Sequence, residues 1–171
     1  MQVVLLLKTK QEMETITVEL NRLQRNGWTA QEHTNVALVT DFVEHLMIKH
    51  DFGYIQQNFG HHNYVQHNRN MTDGIQGVVN TVGGLVKRYP DYTYDVKHIL
   101  VDGDYVSFHS HVTLKRAHRG NDKKGFNIKD TWRVQDGQIV EHWDAIQPID
   151  LSMRLFVLLN GGAIRNGNGV F

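Results

Sequence analysis

The chain has 171 residues, no cysteine, 18 Lys and Arg against 18 Asp and Glu, and 40% hydrophobic residues, the size and balance of one ordinary globular domain. A net charge of zero leaves no basic footprint for a nucleic-acid backbone and no polybasic segment for an anionic membrane surface. The missing thiols exclude disulfides, thiolate-held zinc, iron–sulfur clusters and a cysteine nucleophile, while 11 histidines are an unusual supply of protonatable groups.

The opening Met1 to Leu7 has too short an apolar run, with no basic segment before it, to read as a signal peptide. No other stretch approaches membrane-spanning length, and a cytoplasmic location is expected. Thr9-Lys10-Gln11-Glu12 forms a capping box, followed at helical spacing by Met13, Ile16, Leu20 and Leu23 until Asn26-Gly27 supplies a stop. Residues 1–28 are therefore expected to be an extension, a strand plus an amphipathic helix, docked on the body of the protein (29–171) or on a partner subunit. A second helix is predicted from Thr34 to about His50, with Val36, Val39, Phe42, Val43 and Leu46 on its apolar face. Asp51 to Asn70 has no sustained period and reads as turns and a loop beside a pocket. Thr72 or Asp73 can cap a third helix whose stripe is Ile75, Val78, Val79, Val82, Leu85 and Val86, with Pro90 just past its end.

Beyond Pro90 the period changes to two. Between Tyr92 and Trp143 the dipeptides Asp102-Gly103, Arg119-Gly120 and Asp136-Gly137 divide runs rich in Val, Ile, Phe, Tyr and Thr, which predicts an antiparallel meander of about four strands. Helices first and a meander second imply an α+β fold with helices covering one face of a curved sheet and a cavity between the layers. The tail from Leu151 to Phe171 begins apolar and ends rich in glycine.

The chemistry is expected where polar groups interrupt apolar rows. Alternation puts Phe126, Ile128, Asp130, Trp132 and Val134 on one strand face, so Asp130 needs a donor partner, solvent in a cavity, or protonation. A structural Asp paired with an arginine or a backbone turn fits the same pattern. Val140, His142, Asp144 and Ile146 share a face on the next strand, and the Asp136-Gly137 hairpin lets Asp130, His142 and Asp144 converge. Two carboxylates and a histidine are the groups that general acid–base chemistry uses. His109 and His111 share a strand face in a geometry that could clamp a metal, yet they also fit a polar or interface-facing row opposite Val106, Phe108 and Val112. The spacing from Gly103 to His109-Ser110-His111 resembles the opening of the cupin metal motif, but Lys115 and Arg116 occupy the region of its glutamate, and no metal is expected.

The strings Tyr64-Val65-Gln66-His67-Asn68, Asp104 to His111, Asp136 to Asp144 followed by Gln147-Pro148, and Asn166 to Phe171 resemble the SnoaL-like polyketide cyclase branch of the nuclear-transport-factor-2-like superfamily, over roughly residues 34 to 171. The resemblance implies a cone-shaped α+β fold, a strongly bent antiparallel sheet around helices, usually dimeric, with a deep pocket and no cofactor. It implies an acid–base role for Asp144 in an aldol closure. The family's histidine one hairpin earlier is replaced here by Asp130, and the family's asparagine falls at or beside Gln66. The expected catalytic set is Asp144, His142 and Asp130. Tyr64, Gln66 and His67 from the loop, Trp132 and Trp143 from the strands, and the pair His109 and His111 are expected to bind a small apolar or aromatic carbonyl compound. The superfamily includes isomerases, dehydratases, epoxide hydrolases and proteins that only bind, so two rivals accompany the enzyme reading. One is a binding protein, with its carboxylate tied to Arg133 or Arg154; the other activates water on an epoxide with an aspartate–arginine–aspartate set.

Overall fold

The computed structural model describes residues 17–151, 155, 158–161 and 170–171. The capping box at Thr9 and the apolar positions Met13 and Ile16 lie outside the described residues. Of the predicted N-terminal helix the described residues hold a single turn, α1 (Leu20–Leu23), since Thr17 to Glu19 are not helical; it buries Leu23 and packs Val18 and Leu20 against the core of the same chain. Helix α2 (Ala30–Val43) starts four residues before the predicted Thr34, because Thr29 and Glu32 form a capping box of their own. The Thr29 hydroxyl accepts from the Glu32 N–H at 3.2 Å and the Glu32 carboxylate accepts from the Thr29 N–H at 2.7 Å. The helix continues through a wider π turn (Glu44–Ile48) and stops at His50, whose φ of 55° no helix can continue.

The segment read as a loop contains a helix, α3 (Phe52–Phe59), capped by the Asp51 carboxylate on the Tyr54 N–H at 2.9 Å. Its single turn-to-turn apolar pair, Ile55 and Phe59, is too short to establish a period in the sequence. A two-residue strand β1 (Val65–Gln66) follows, and then α4 (Gly74–Arg88), which buries Ile75, Val78 and Val82. Asp73 sits at the N-cap of α4 without capping it; its carboxylate instead accepts the Gln66 N–H at 2.8 Å.

The meander has the predicted strands and turns: β2 (Thr93–Asp102), β3 (Tyr105–Thr113), β4 (Phe126–Gln135) and β5 (Gln138–Pro148). Asp136 and Gly137, at φ 51° and 73°, supply the two positive values that a tight two-residue hairpin demands. The sheet order is β1-β5-β4-β3-β2, and β1 pairs parallel to β5, so the sheet is mixed where a purely antiparallel one was expected. A bulge corrects one more detail. Val134 pairs with Ile139 while Arg133 pairs with Glu141, which leaves Val140 as the extra residue. Ile139, at 0% exposure, therefore takes the inward place assigned to Val140, and His142 keeps its own.

The sheet wraps α2, α3 and α4, and the core lies between the layers as an α+β cone. Among the described residues no helix is long and apolar enough to cross a membrane. Three histidines couple this packing to pH. Burial depresses the imidazoles of His50, His62 and His109 below the usual 6.5, with neighbouring His61 adding to the effect at His62. The folded chain then binds fewer protons than the unfolded one, so this part of the stability is full above about pH 6.5 and is lost as pH falls through the lowered native values. The urea midpoint is expected to drop between about pH 7 and about pH 5. His62→Asn, which can still accept the Ile139 N–H bonded to His62 Nδ1 at 3.1 Å, should flatten that drop. A midpoint constant across the interval would contradict the assignment.

Candidate active site

Period-two geometry delivers the site. On β4 the alternation turns Ile128, Asp130, Trp132 and Val134 inward, and β5 turns in His142 and Asp144. In register Asp130 faces Asp144 and Trp132 faces His142, while the parallel pairing of β1 sets Gln66 beside His142. Asp130 is 3% exposed and His142 4%, so neither can lean on bulk water. The Tyr94 hydroxyl donates to Asp130 Oδ2, and His142 Nε2 lies 3.0 Å from Asp130 Oδ1. His142 Nδ1 is 3.0 Å from Gln66 Oε1, which also accepts the Asn68 N–H at 2.8 Å. The half-buried Asp144 accepts from Asn68 Nδ2 at 2.5 Å.

These groups close one end of a cavity of about 350 Å³. The remaining wall is apolar and aromatic, with Phe42, Leu46, Val82, Leu85, Tyr92 and Phe126 among its residues. That volume suits a small organic molecule. No lysine or arginine occurs among the described residues that line it, while two carboxyl groups do. Two phenols stay protonated beside them. Burial drives the Tyr64 phenol far above its usual 10.0, with Asp130 and Asp144 adding to the effect, and burial with Asp130 does the same to Tyr94. The Trp132 indole N–H is near enough to the Tyr64 oxygen to ease that shift a little, but makes no hydrogen bond of acceptable geometry.

The structure thus gathers Asp144, His142, Asp130, Tyr64, Gln66 and Trp132 around one cavity. Four expected ligand-binding residues face elsewhere. His67 follows Gln66 with opposite alternation, bonds Glu141 at 2.8 Å on the outer face and stacks on Trp143 at 4.8 Å. The bonds from His67 and from Arg133 hold the Glu141 carboxyl below its usual range. Trp143 alternates outward between His142 and Asp144. His109 and His111 share the outer row: His109 Nε2 bonds Asn127 Oδ1 at 2.7 Å, His111 Nε2 bonds the Lys124 carbonyl at 2.7 Å, and Phe171 covers both rings. They line no part of the cavity because Val106, Phe108, Ser110 and Val112 hold the inward positions of β3. Asn68 and Tyr94 were absent from the expected set. The strand period could have turned Tyr94 inward from sequence, whereas nothing local marks Asn68, which meets Asp144 across 76 residues.

A family model described as the SnoaL-like domain matches residues 39–142, from mid α2 to His142. The chain belongs to the SnoaL-like family. Solved structures share this SnoaL-like chain's fold, the nuclear-transport-factor-2-like cone. A candidate SnoaL-like polyketide cyclase from Jannaschia superposes with a TM-score of 0.57 at 14% identity, over 80% of this chain and 96% of that one. A candidate polyketide cyclase from Bacillus cereus gives 0.55 at 22% identity, over 67% and 74%. A candidate hydroxylase from Streptomyces galilaeus gives 0.52 at 20%, over 78% and 89%. No protein of curated function matches the sequence.

Asp130, His142 and Asp144 each offer one ligand atom, all within 4.8 Å of one another, so a divalent metal has to be weighed. The donors are already engaged: Nε2 with Oδ1, Oδ2 with Tyr94, and Asp144 Oδ2 with Asn68. A metal would have to break this set, whereas a proton fits within it. Purified protein treated with EDTA should therefore keep its melting temperature, and elemental analysis showing one metal per chain would contradict this.

Proposed function

We propose that this SnoaL-like protein is a cofactor-independent enzyme that removes a proton α to the carbonyl of a small, uncharged, apolar or aromatic compound. The observation that carries it is Asp144: a half-buried carboxyl group lining an apolar cavity, hydrogen-bonded to the Asn68 amide and, among the described residues, joined to no cation. Asp144 takes the proton. The enolate oxygen that develops needs a donor, and the Tyr64 phenol, held protonated by its burial, supplies one. The buried His142–Asp130 pair stands ready to give a proton back. Enolate formation serves aldol closure, isomerisation and dehydration alike, and the neighbours named as polyketide cyclases support aldol closure as the first reaction to try.

The rivals find less support. Arg133 is committed to Glu141 at 2.8 Å on the outer face, away from Asp144, and Arg154 lies outside the described residues. Water activation on an epoxide calls for an arginine between two acids, and among the described residues that line this cavity there is no arginine, the ring beside Asp130 being that of His142.

The reading is tested by α-proton exchange of an aryl 1,3-diketone in D₂O, followed by NMR. Asp144→Asn keeps the shape and removes the base, so exchange should slow on the order of a hundredfold while the diketone still binds. An Asp144→Asn chain that exchanges as fast as the wild type would sink the mechanism, and binding without exchange in either chain would favour a binding protein.

We also infer a homodimer through the outer sheet face, where Tyr105 is 49% exposed and pairs with the Trp143 ring at 6.3 Å. Sedimentation equilibrium should give twice the chain mass of 19.7 kDa. Tyr105→Glu should lower the mass towards one chain, and a wild type that sediments as a monomer at micromolar concentration refutes the dimer.

A further inference from the structure

Hydrogen-bond chemistry locates a proton that the catalytic reading leaves unplaced. We propose that Gln66 is a positioning residue that holds His142 in its Nδ1–H form, so that His142 Nε2 and Asp130 Oδ1 share a single proton. The use of that proton in turnover rests on the proton-transfer reading above; its location does not.

The argument starts from a donor that cannot change roles. The Asn68 backbone N–H points at the end of the Gln66 side chain, 2.8 Å away, and a backbone N–H can only donate. The atom it meets must be the amide oxygen, because the inverted amide would set an NH₂ against the N–H. That same oxygen is 3.0 Å from His142 Nδ1. A carbonyl oxygen only accepts, so Nδ1 carries a hydrogen whether the ring is neutral or charged. In the neutral ring Nε2 is then bare, and it lies 3.0 Å from Asp130 Oδ1 with both residues buried. Two bare acceptors at that distance would repel one another, so one proton lies between them, on the imidazole or on the carboxyl. Tyr94 does not supply it, since its hydrogen is given to the other carboxyl oxygen, Oδ2.

The proton count separates two roles. Asp130 and His142 together form a pair with no net charge and one proton to lend, which leaves Asp144 as the carboxyl free to act as base. In a turnover Asp144 gains the proton that the ligand's carbon loses, and the pair loses the one that the ligand's oxygen gains; exchange with solvent resets both. Gln66 can play its part because its backbone is held twice, by Asp73 and by the parallel pairing with β5 that sets it opposite His142.

Long-range ¹⁵N–¹H correlation spectra of the ligand-free protein read the tautomer directly, with the His142 signals identified by their loss in His142→Gln. The wild type should show a protonated Nδ1. Gln66→Glu keeps an acceptor for both Nδ1–H and the Asn68 N–H and should retain that signature. Gln66→Leu removes the acceptor and should lose it, the ring turning to the Nε2–H form that donates to Asp130. A neutral wild-type ring with bare Nδ1, or a Gln66→Leu chain with the wild-type signature, overturns the proposal. Should Gln66→Leu fail to fold, the wild type and Gln66→Glu decide between the two forms. No ligand is present in these spectra, so a wrong tautomer would leave the Asp144→Asn result standing, and a failed exchange experiment would leave the tautomer standing.

Discussion

A carboxyl group buried among aromatic and branched side chains is the constraint on which the rest of this structure turns. An unpaired charge at the place of Asp130 would cost several kcal/mol, so the fold has to bring donors to it. It brings them from two other strands. His142 comes from the neighbouring β5, where the bulge at Val140 preserves its inward direction after the hairpin. Tyr94 comes from β2, two strands away, and reaches over β3 at the small inward-facing Ser110. In a flat sheet those strands would stand about 9.6 Å apart, twice the usual spacing, so a phenol bonded across the gap requires a sheet curled towards its helices. Curvature, cavity and buried acid are aspects of one arrangement.

The same constraint shapes what the cavity can hold. Asp130 is neutralised from within by an imidazole and a phenol, not by a lysine or arginine, and so no fixed cation enters the lining among the described residues. A carboxylate or phosphate ligand would find two acids and no counter-charge, whereas an uncharged carbonyl compound meets apolar walls along its length and donors at one end. Buried phenols with strongly raised pKa values donate without themselves ionising, and that is the property an enolate oxygen needs from its partner.

Much of this was legible in the sequence because it depends on local period. The turn dipeptides and the alternation around Asp130 placed β2 to β5 and fixed which face carried the acids, since a strand has only two faces. The stripe of α4 was equally plain. The missed features each depend on something non-local or too short to repeat. Helix α3 offers one buried pair, and the two residues of β1 carry no period at all. The outward turn of His67 follows from how β1 aligns with β5, a pairing that links residues 76 apart, whereas that of Trp143 was implied by its alternation between His142 and Asp144. His109 and His111 could have been assigned to the outer face by the apolar residues that alternate with them; their chemistry drew attention that their strand position did not support.

One substitution ties the site to its family. The resemblance puts a histidine on the hairpin strand where this chain has Asp130, and a pocket that lost an imidazole there would need its proton from another residue. Here His142, one strand over and directly opposite Trp132, contributes the ring, and Asp130 becomes its acceptor. The imidazole of this site thus stands on the strand that borders β1. That position makes the shortest strand consequential. On β4 a histidine would have had other strands on both sides; on β5 it lies next to Gln66, whose oxygen dictates which nitrogen holds the hydrogen. The same short segment delivers Asn68 to Asp144. On the proposed reading, this short parallel strand and the Asn68 that follows it hold the His142 hydrogen and the Asp144 carboxyl, so any change that loosens β1 from β5 should disturb both carboxyl groups together while the antiparallel meander beneath stays paired.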